Sequence, residues 1–178
     1  REQTISSRSS RSSAEIFAAG LAIANHDWAS LCHGQLMSCF VSMATEPPTT
    51  QLRTKLQELG KDIALPIMKP ENSLAWGFDG ADLVKNSYGI FEPAPIEIDI
   101  SQAIAILIPA LRVGRDGTRL GRGAGYYDRA LANVPSHADG GPIRICLVFD
   151  DEVDASVPSE PHDELVDVIV TPSQVINF

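Results

Sequence analysis

Three alternating glycines between arginines mark the stretch whose residue types are best suited to chemistry. It reads Arg119-Leu-Gly-Arg-Gly-Ala-Gly-Tyr-Tyr-Asp-Arg129. Glycine lacks a Cβ atom, so the backbone amides of such a loop can turn inward and approach an anion closely. Arg119 and Arg122 add fixed positive charge and forked donors that suit phosphate oxygens. These residue types predict a phosphate-binding loop.

The residues that follow the glycines extend this prediction. A helix can begin at about Gly125, and its N-terminus would direct the positive end of the helix dipole at the same anion. Asp128 follows at a distance where a carboxylate could hold a magnesium ion. The pattern lacks the Gly-Lys-Ser/Thr of a Walker loop, and its spacing does not match a dinucleotide-binding fingerprint. The glycines alone leave one alternative open, a surface loop with solvated arginines.

The helices that must help to position this loop can be predicted from the hydrophobic pattern. Apolar residues recur at helical spacing between positions 16 and 23. A second helix is predicted to begin at Thr49 or Thr50 and to run to about Leu59. Gly60 then stands where a helix stop belongs.

Short apolar runs between these helices predict the strands. They lie at residues 36–43, 62–67, 74–78, 103–108, 143–149 and 166–170. The run 103–108 is continuously apolar and ends at Pro109, which is typical of a strand buried on both faces of a sheet. Strands that alternate with helices predict an α/β fold. We expect a three-layer α/β/α arrangement around an open, mostly parallel, Rossmann-like sheet.

The length of the chain predicts a single domain over residues 1–178. The segment 6–13 is a low-complexity run of serine and arginine, and this composition favours flexibility for residues 1–13. The same residues are not apolar, so no signal peptide is expected. Because the chain opens on Arg1 rather than methionine, a truncated N-terminus is expected.

Charge and cysteine content narrow the class of protein. The net charge of −9 and the pI near 4.8 argue against nucleic-acid binding. Between positions 112 and 129, however, five arginines outnumber two acidic residues, and this local excess suits a small polyanion. No run approaches the roughly 18 apolar residues of a membrane span. Three cysteines without a metal-binding spacing favour a reducing, cytoplasmic location. Separately, we expect a monomer.

The glycine-rich stretch resembles the signature of the 5-formyltetrahydrofolate cyclo-ligases, also called methenyltetrahydrofolate synthetases. The resemblance extends to the segments 40–49 (FVSMATEPPT), 60–66 (GKDIALP) and 88–93 (YGIFEP). It also covers Ile108-Pro109 before the loop, and His162-Asp163 followed by Asp167. The motifs keep the family's order from about residue 14 to residue 171.

The resemblance implies ligands and roles for particular residues. It implies two cofactors, ATP and Mg²⁺. ATP would be bound by Arg119, Leu120, Gly121, Arg122, Gly123, Ala124, Gly125, Tyr126 and Tyr127. Arg119, Arg122 and Tyr126 would take part in catalysis. The folate substrate would contact Val41, Met43, Glu46, Tyr88, Arg122 and Tyr126, and Asp128 and Asp163 would hold the magnesium ion. Of Tyr126 and Tyr127, one is expected to pack and the other to face the ligand.

The reaction that the resemblance implies is an ATP-dependent ring closure. ATP would phosphorylate the formyl oxygen of 5-formyltetrahydrofolate, with or without a polyglutamate tail. The nitrogen at position ten would then attack the formyl carbon, giving 5,10-methenyltetrahydrofolate, ADP and phosphate. Two other functions stay open: a family member that binds folate or nucleotide without efficient turnover, and an enzyme resembling sugar-phosphate isomerases.

The sequence also departs from the family pattern. Members usually carry a lysine and an arginine near the N-terminus that reach the nucleotide, whereas the first lysine here is Lys55. Arg1, Arg8 and Arg11 are the available cations, and none can be matched from the sequence alone. Ala124 stands where many members have glycine or lysine.

Overall fold

The computed structural model describes residues 1–80, 82–96 and 98–178. The helices are α1 (Glu2–Ser9), α2 (Ser13–Ala24), α3 (Trp28–Leu31), α4 (Thr50–Glu58) and α5 (Tyr126–Leu131). The first six strands are β1 (Leu36–Ser38), β2 (Asp62–Lys69), β3 (Ser73–Phe78), β4 (Val84–Lys85), β5 (Phe91–Glu92) and β6 (Ala105–Pro109). The others are β7 (Arg112–Gly114), β8 (Arg119–Leu120), β9 (Ile143–Leu147), β10 (Val153–Asp154), β11 (Val168–Val170) and β12 (Val175–Asn177).

A seven-stranded sheet of order β12-β11-β9-β6-β1-β2-β3 forms the centre of the molecule. The neighbours from β11 to β2 are parallel, and the edge strands β12 and β3 are antiparallel. The apolar run that predicted a doubly buried strand is the central strand β6, where the side chains of residues 105–108 have no exposed surface. The prediction of a mostly parallel sheet is therefore confirmed.

Helices cover both faces of this sheet. On one face Ile23, Trp28 and Leu52 from α2, α3 and α4 pack against alternate strand residues such as Leu107. On the other face Leu131 of α5 packs in a second core cluster. Alternate residues of a strand point to opposite faces, so the central strands contribute to both cores. The three-layer α/β/α arrangement is confirmed.

The loops at the carboxyl ends of the parallel strands are where this architecture places a ligand. The predicted strand 36–43 ends early, at Ser38, and the residues after it form a loop at that edge. A three-stranded sheet of order β10-β7-β8 and the hairpin β4–β5 extend the same region. Both carry residues of the site described below.

The N-terminal segment differs from the expectation that its composition raised. Residues 2–9 form α1, and the serine-rich run supplies the N-cap of α2 instead of a flexible linker. Ser12 and Glu15 form a capping box, in which Ser12 N–H donates to Glu15 Oε2 at 2.7 Å. Arg8 is completely buried against a partner 144 residues away, and composition cannot reveal that contact.

No helix in the described ranges has both the length and the apolar character that a bilayer crossing requires.

Candidate active site

The glycine-rich loop connects β8 to α5. Gly123 and Gly125 have φ angles of 102° and 68°, and L-residues with a Cβ rarely adopt such angles. Gly125 is the N-cap of α5, which begins at Tyr126 as predicted. The glycines therefore shape a backbone turn that other residue types would strain.

One cleft of about 620 Å³ contains every residue to which the resemblance assigns a ligand or a catalytic role. Its lining includes the whole loop from Arg119 to Asp128, together with Val41, Met43, Glu46, Tyr88 and Asp163. The cleft has an arginine-rich end at the loop and a more apolar end formed by the β1–α4 segment and the β4–β5 hairpin. The structure thus brings the predicted residues together, while their roles stay predictions.

The segment 39–49, which carries the predicted folate contacts, is held by a local hydrogen-bond network. Thr49 donates its hydroxyl proton to the carbonyl of Phe40 at 2.6 Å; it is the N-cap residue of α4, but its side chain makes no capping bond. Ser42 and Thr49 also exchange backbone-to-hydroxyl bonds at 3.2 Å. Glu46 Oε2 accepts from Met43 N–H at 2.8 Å. These bonds fix the Glu46 carboxylate at the cleft.

An ion pair between Glu46 and Arg122 connects the two ends of the cleft. Glu46 Oε1 lies 3.3 Å from both Nε and Nη2 of Arg122. The Glu46 side chain is 8% exposed and that of Arg122 is 39% exposed. The carboxylate is thus the fixed partner, and the arginine is free to turn toward solvent or a ligand.

Arg119 and Asp128 form a second ion pair, at the arginine-rich end of the cleft. Arg119 is buried, and its Nη2 contacts Asp128 Oδ1. The same oxygen accepts from Glu164 N–H at 3.3 Å. Asp128 therefore neutralises part of the positive charge beneath the loop, a partnership that no sequence pattern predicts.

The second predicted metal ligand, Asp163, lines the same cleft. Its Oδ2 accepts from Glu160 N–H at 2.7 Å, and its Oδ1 lies 3.9 Å from Nε2 of the exposed His162. Over the described residues, no group of three or more histidine, cysteine or acidic side chains could enclose a metal ion. Any ion held here would need further ligands from a bound molecule or water.

The two tyrosines of the loop have different surroundings. Tyr127 packs against the core under α5, and its hydroxyl is buried with no hydrogen-bond partner among the described residues. Burial raises the pKa of Tyr127, and the nearby Cys39 and Glu46 raise the pKa further. Tyr126 lines both the main cleft and a smaller polar pocket beside it. Tyr127 is therefore the packing residue of the pair.

The β4–β5 hairpin forms the far wall of the cleft, and its turn is organised by Asn86. Asn86 Oδ1 accepts from the backbone N–H groups of Tyr88 at 2.9 Å and Ile90 at 3.0 Å. Asn86 Nδ2 donates to Glu92 Oε1 at 2.8 Å, and that oxygen also accepts from Met68 N–H. This network holds Tyr88 at the cleft with most of its side chain exposed.

Arg1 is a cleft residue that the sequence analysis could not assign. A Cβ atom on Gly123 would lie 2.8 Å from Nη1 of Arg1, so the guanidinium covers that glycine. Arg8 and Arg11, the other two candidates, point elsewhere: Arg8 on α1 pairs with Glu152, and Arg11, which follows α1, pairs with Asp151 and lies 3.6 Å from Glu152 Oε1. The packing of α1 distinguishes the three arginines, because it brings Arg1 to the loop and buries Arg8 against Glu152.

Comparisons with known proteins agree with these observations. The sequence model of the 5-formyltetrahydrofolate cyclo-ligase family matches residues 1–172. The 5-formyltetrahydrofolate cyclo-ligase of Mycolicibacterium smegmatis is 37% identical over 152 residues, which cover 80% of this chain and 76% of that protein. The enzyme of that name from Escherichia coli K12 is 30% identical over 146 residues, covering 78% and 79% of the two chains.

Solved structures show the same fold. The 5,10-methenyltetrahydrofolate synthetase of Aquifex aeolicus superposes with a TM-score of 0.79 at 22% identity, covering 99% of this chain and 89% of that one. The synthetase of Mycoplasma pneumoniae gives a TM-score of 0.74 at 17% identity, covering 96% and 95%.

Proposed function

Because the chain belongs to the 5-formyltetrahydrofolate cyclo-ligase family, we propose that it closes 5-formyltetrahydrofolate to 5,10-methenyltetrahydrofolate at the expense of ATP. The observation that carries the proposal is the single cleft that joins the glycine loop to the Glu46 segment. The reaction requires the terminal phosphate of ATP to lie beside the formyl group. A cleft in which an arginine-rich loop faces an end lined by Glu46 and apolar residues suits this requirement.

The reaction needs mainly positioning and charge neutralisation from the protein. The formyl oxygen attacks the γ-phosphorus, and ADP leaves. The nitrogen at position ten then attacks the formyl carbon and gives up its proton to the phosphate or to water, the carbon–oxygen bond breaks, and phosphate departs. Enzymes of phosphoryl transfer accelerate such steps by holding the reactants in line and by stabilising the charge on the phosphoryl oxygens.

The arginine-rich end suits the ATP phosphates. Arg119 is a buried cation fixed by Asp128, whereas Arg122 is half exposed and can follow the moving phosphoryl group. Arg1 adds a third cation at Gly123. Arginine donors are effective here because their forked geometry matches phosphate oxygens. We assign Arg119, Arg122 and Tyr126 to catalysis, and residues 119–127 to nucleotide binding.

The donor types at the cleft also fit a magnesium ion. Magnesium in phosphoryl-transfer sites is held by one or two carboxylates, with phosphate and water oxygens completing the octahedron. Asp128 and Asp163 are two carboxylates that line the cleft beside the loop, and they would hold the ion. The ion, when bound, neutralises phosphate charge. This arrangement agrees with the lack of a three-ligand cluster over residues 1–80, 82–96 and 98–178.

The opposite end suits the folate. Glu46 offers a nearly buried carboxylate, which can accept hydrogen bonds from the N–H groups of a pterin. Val41 and Met43 supply apolar surface beside it, and Tyr88 supplies an exposed aromatic ring. Glu46 would therefore orient the pterin, while the apolar residues cover its face.

A location in a reducing cytoplasm and a monomeric state belong to the same proposal. Cys32, Cys39 and Cys146 are all buried, and none is in a disulfide. Burial raises the pKa of Cys32 to about 11 and that of Cys39 to about 12. Such thiols are unreactive packing groups, which is consistent with a reducing compartment.

The test is the absorbance of the methenyl-folate product after mixing the protein with 5-formyltetrahydrofolate and Mg-ATP. We expect a rise that requires ATP and that is accompanied by one ADP per product. Formyl-folate binding without any rise would replace the proposal with a binding protein. Interconversion of a sugar phosphate without ATP would replace it with an isomerase.

A further inference from the structure

The helix α1 carries the cleft residue Arg1, yet little apolar packing holds the helix in place. It has eight residues, and those buried along it are Thr4 and Arg8. Isolated helices shorter than about 12–15 residues are marginal in water, so tertiary contacts must fix α1. The question is which contact sets the position of Arg1 at the glycine loop.

Arg8 makes that contact through a fully buried ion pair with Glu152. Its Nε donates to Glu152 Oε1 at 2.8 Å, and its Nη2 donates to Glu152 Oε2 at 2.7 Å. The same Nη2 donates to the carbonyl of Ala110 at 2.7 Å. Exposure of the two side chains is 0% and 1%. A forked pair with a third bond on the same group fixes orientation as well as distance.

The partners of Arg8 belong to the framework of the cleft. Ala110 follows the central strand β6 directly and lines the cleft. Glu152 lies just beyond the adjacent strand β9, and its Oε2 also accepts from Phe149 N–H at 2.9 Å. Arg8 thus connects α1 to the carboxyl ends of two neighbouring central strands. Arg1 lies seven residues, or roughly 10 Å, from it along the helix.

A buried ion pair is a poor way to gain stability, because an apolar pair of similar volume is often as stable or more so. Its directional bonds are what an apolar pair would lack. We propose that Arg8 and Glu152 are positioning residues, which orient α1 so that the guanidinium of Arg1 reaches a phosphate bound at Gly123. This rests on the proposed nucleotide-binding role of the loop.

Two variants test the inference, with a matched control. Glu152→Gln keeps the shape of the side chain and removes its charge. Arg8→Lys keeps the positive charge and loses the fork. Asp154→Asn is the control. Asp154 lies in the same acidic segment as Glu152, but its ion pair is with Arg112 on β7 and not with a residue of α1. Circular dichroism and thermal unfolding show which variants are folded. If Glu152→Gln does not fold, Arg8→Lys alone serves as the test variant.

The readouts are the Kd for Mg-ATP and the Kd for 5-formyltetrahydrofolate. We expect Glu152→Gln and Arg8→Lys to weaken Mg-ATP about tenfold, the effect of losing one charge-assisted contact. Folate affinity and the Asp154→Asn control should stay within about twofold. Equal weakening of both ligands, or no weakening of ATP, would overturn the inference.

A double-mutant cycle separates positioning from general destabilisation. In an Arg1→Ala background, Glu152→Gln should cause little further loss of Mg-ATP affinity, because the contact that it orients is already absent. Additive losses would mean that Glu152 does not act through Arg1, and the inference would be wrong. Absence of cyclisation by the unsubstituted protein would instead count against the proposed function, since nucleotide binding is measured here without turnover.

Discussion

Arg122 and Glu46 face each other across the cleft, with Glu46 Oε1 3.3 Å from Nε and Nη2 of the arginine. One residue belongs to the proposed nucleotide end and the other to the proposed folate end. We expect each to exchange part of this contact for a ligand when the cleft is filled. Their pairing therefore relates the two halves of the site, and substitutions at either residue can separate the two binding roles.

Glu46→Ala is expected to weaken folate more than ATP. The substitution removes the nearly buried acceptor for the pterin and frees Arg122 for the phosphates. Loss of a charged hydrogen-bonding partner predicts a rise of about 10–100-fold in the KM for 5-formyltetrahydrofolate. The KM for ATP should change little. Steady-state kinetics with each substrate varied checks this, and an effect confined to ATP would reverse the assignment of Glu46.

Arg122→Ala is expected to lower kcat more than it weakens folate binding. An arginine that contacts the transferring phosphoryl group acts mainly in the transition state, and removal of one such donor costs about 10²–10³ in kcat. Arg122→Lys should recover only part of the rate, because lysine lacks the fork. Single-turnover rates at saturating ATP and folate measure the effect. An unchanged kcat would exclude Arg122 from catalysis.

Asp163→Asn is expected to raise the magnesium concentration needed for turnover while leaving stability nearly unchanged. Asp163 contacts one backbone N–H, so its loss disturbs little.

Asp128→Ala should abolish magnesium-dependent turnover. It also leaves buried Arg119 without its carboxylate and should lower the melting temperature. Magnesium titrations and thermal unfolding distinguish the two. Near-normal rates in both variants would refute the metal assignment.

Gly123→Ala is expected to impair ATP binding through the backbone. At a φ of 102° alanine is strained, and its Cβ would meet Arg1 Nη1 at 2.8 Å. Strain of about 1–3 kcal/mol predicts a KM for ATP raised roughly 5- to 150-fold. Ala124→Gly is the matched control in the same loop and adds no Cβ. Similar ATP affinity in the two variants would show that the loop shape is not required.

The buried thiols give a pH-dependent prediction. Burial raises the pKa of Cys39 and of Cys146 from 9.0 to about 12. A raised folded-state pKa contributes stability that is present below the unfolded value and is lost as pH rises through the folded value. Stability should therefore fall between pH 9 and about 12.

A thiol reagent at pH 8 should label these cysteines only after denaturant is added; rapid labelling of the folded protein would contradict their burial.

Much of the fold could be predicted from local patterns. The apolar run before Pro109 identified the central strand β6, since only a doubly buried strand is continuously apolar. Thr49 and Gly60 bounded α4 correctly, although Thr49 makes no side-chain capping bond. The stop at Gly60 is a local requirement, because its φ of 77° suits glycine. The prediction that the serine-rich start is flexible was wrong, because it too depended on local composition. Its composition favours flexibility locally, while the contact that orders it comes from Glu152.

The sequence by itself determined the local backbone of the loop, because the turn at Gly123 and Gly125 and the helix start at Tyr126 follow from neighbouring residue types. Only the tertiary structure decided which distant residues contact one another. It placed Glu46 against Arg122 across 76 residues and brought Arg1, not Arg8, to the loop. Such pairs result from the packing of distant strands and helices at one edge of a sheet, which no local pattern encodes.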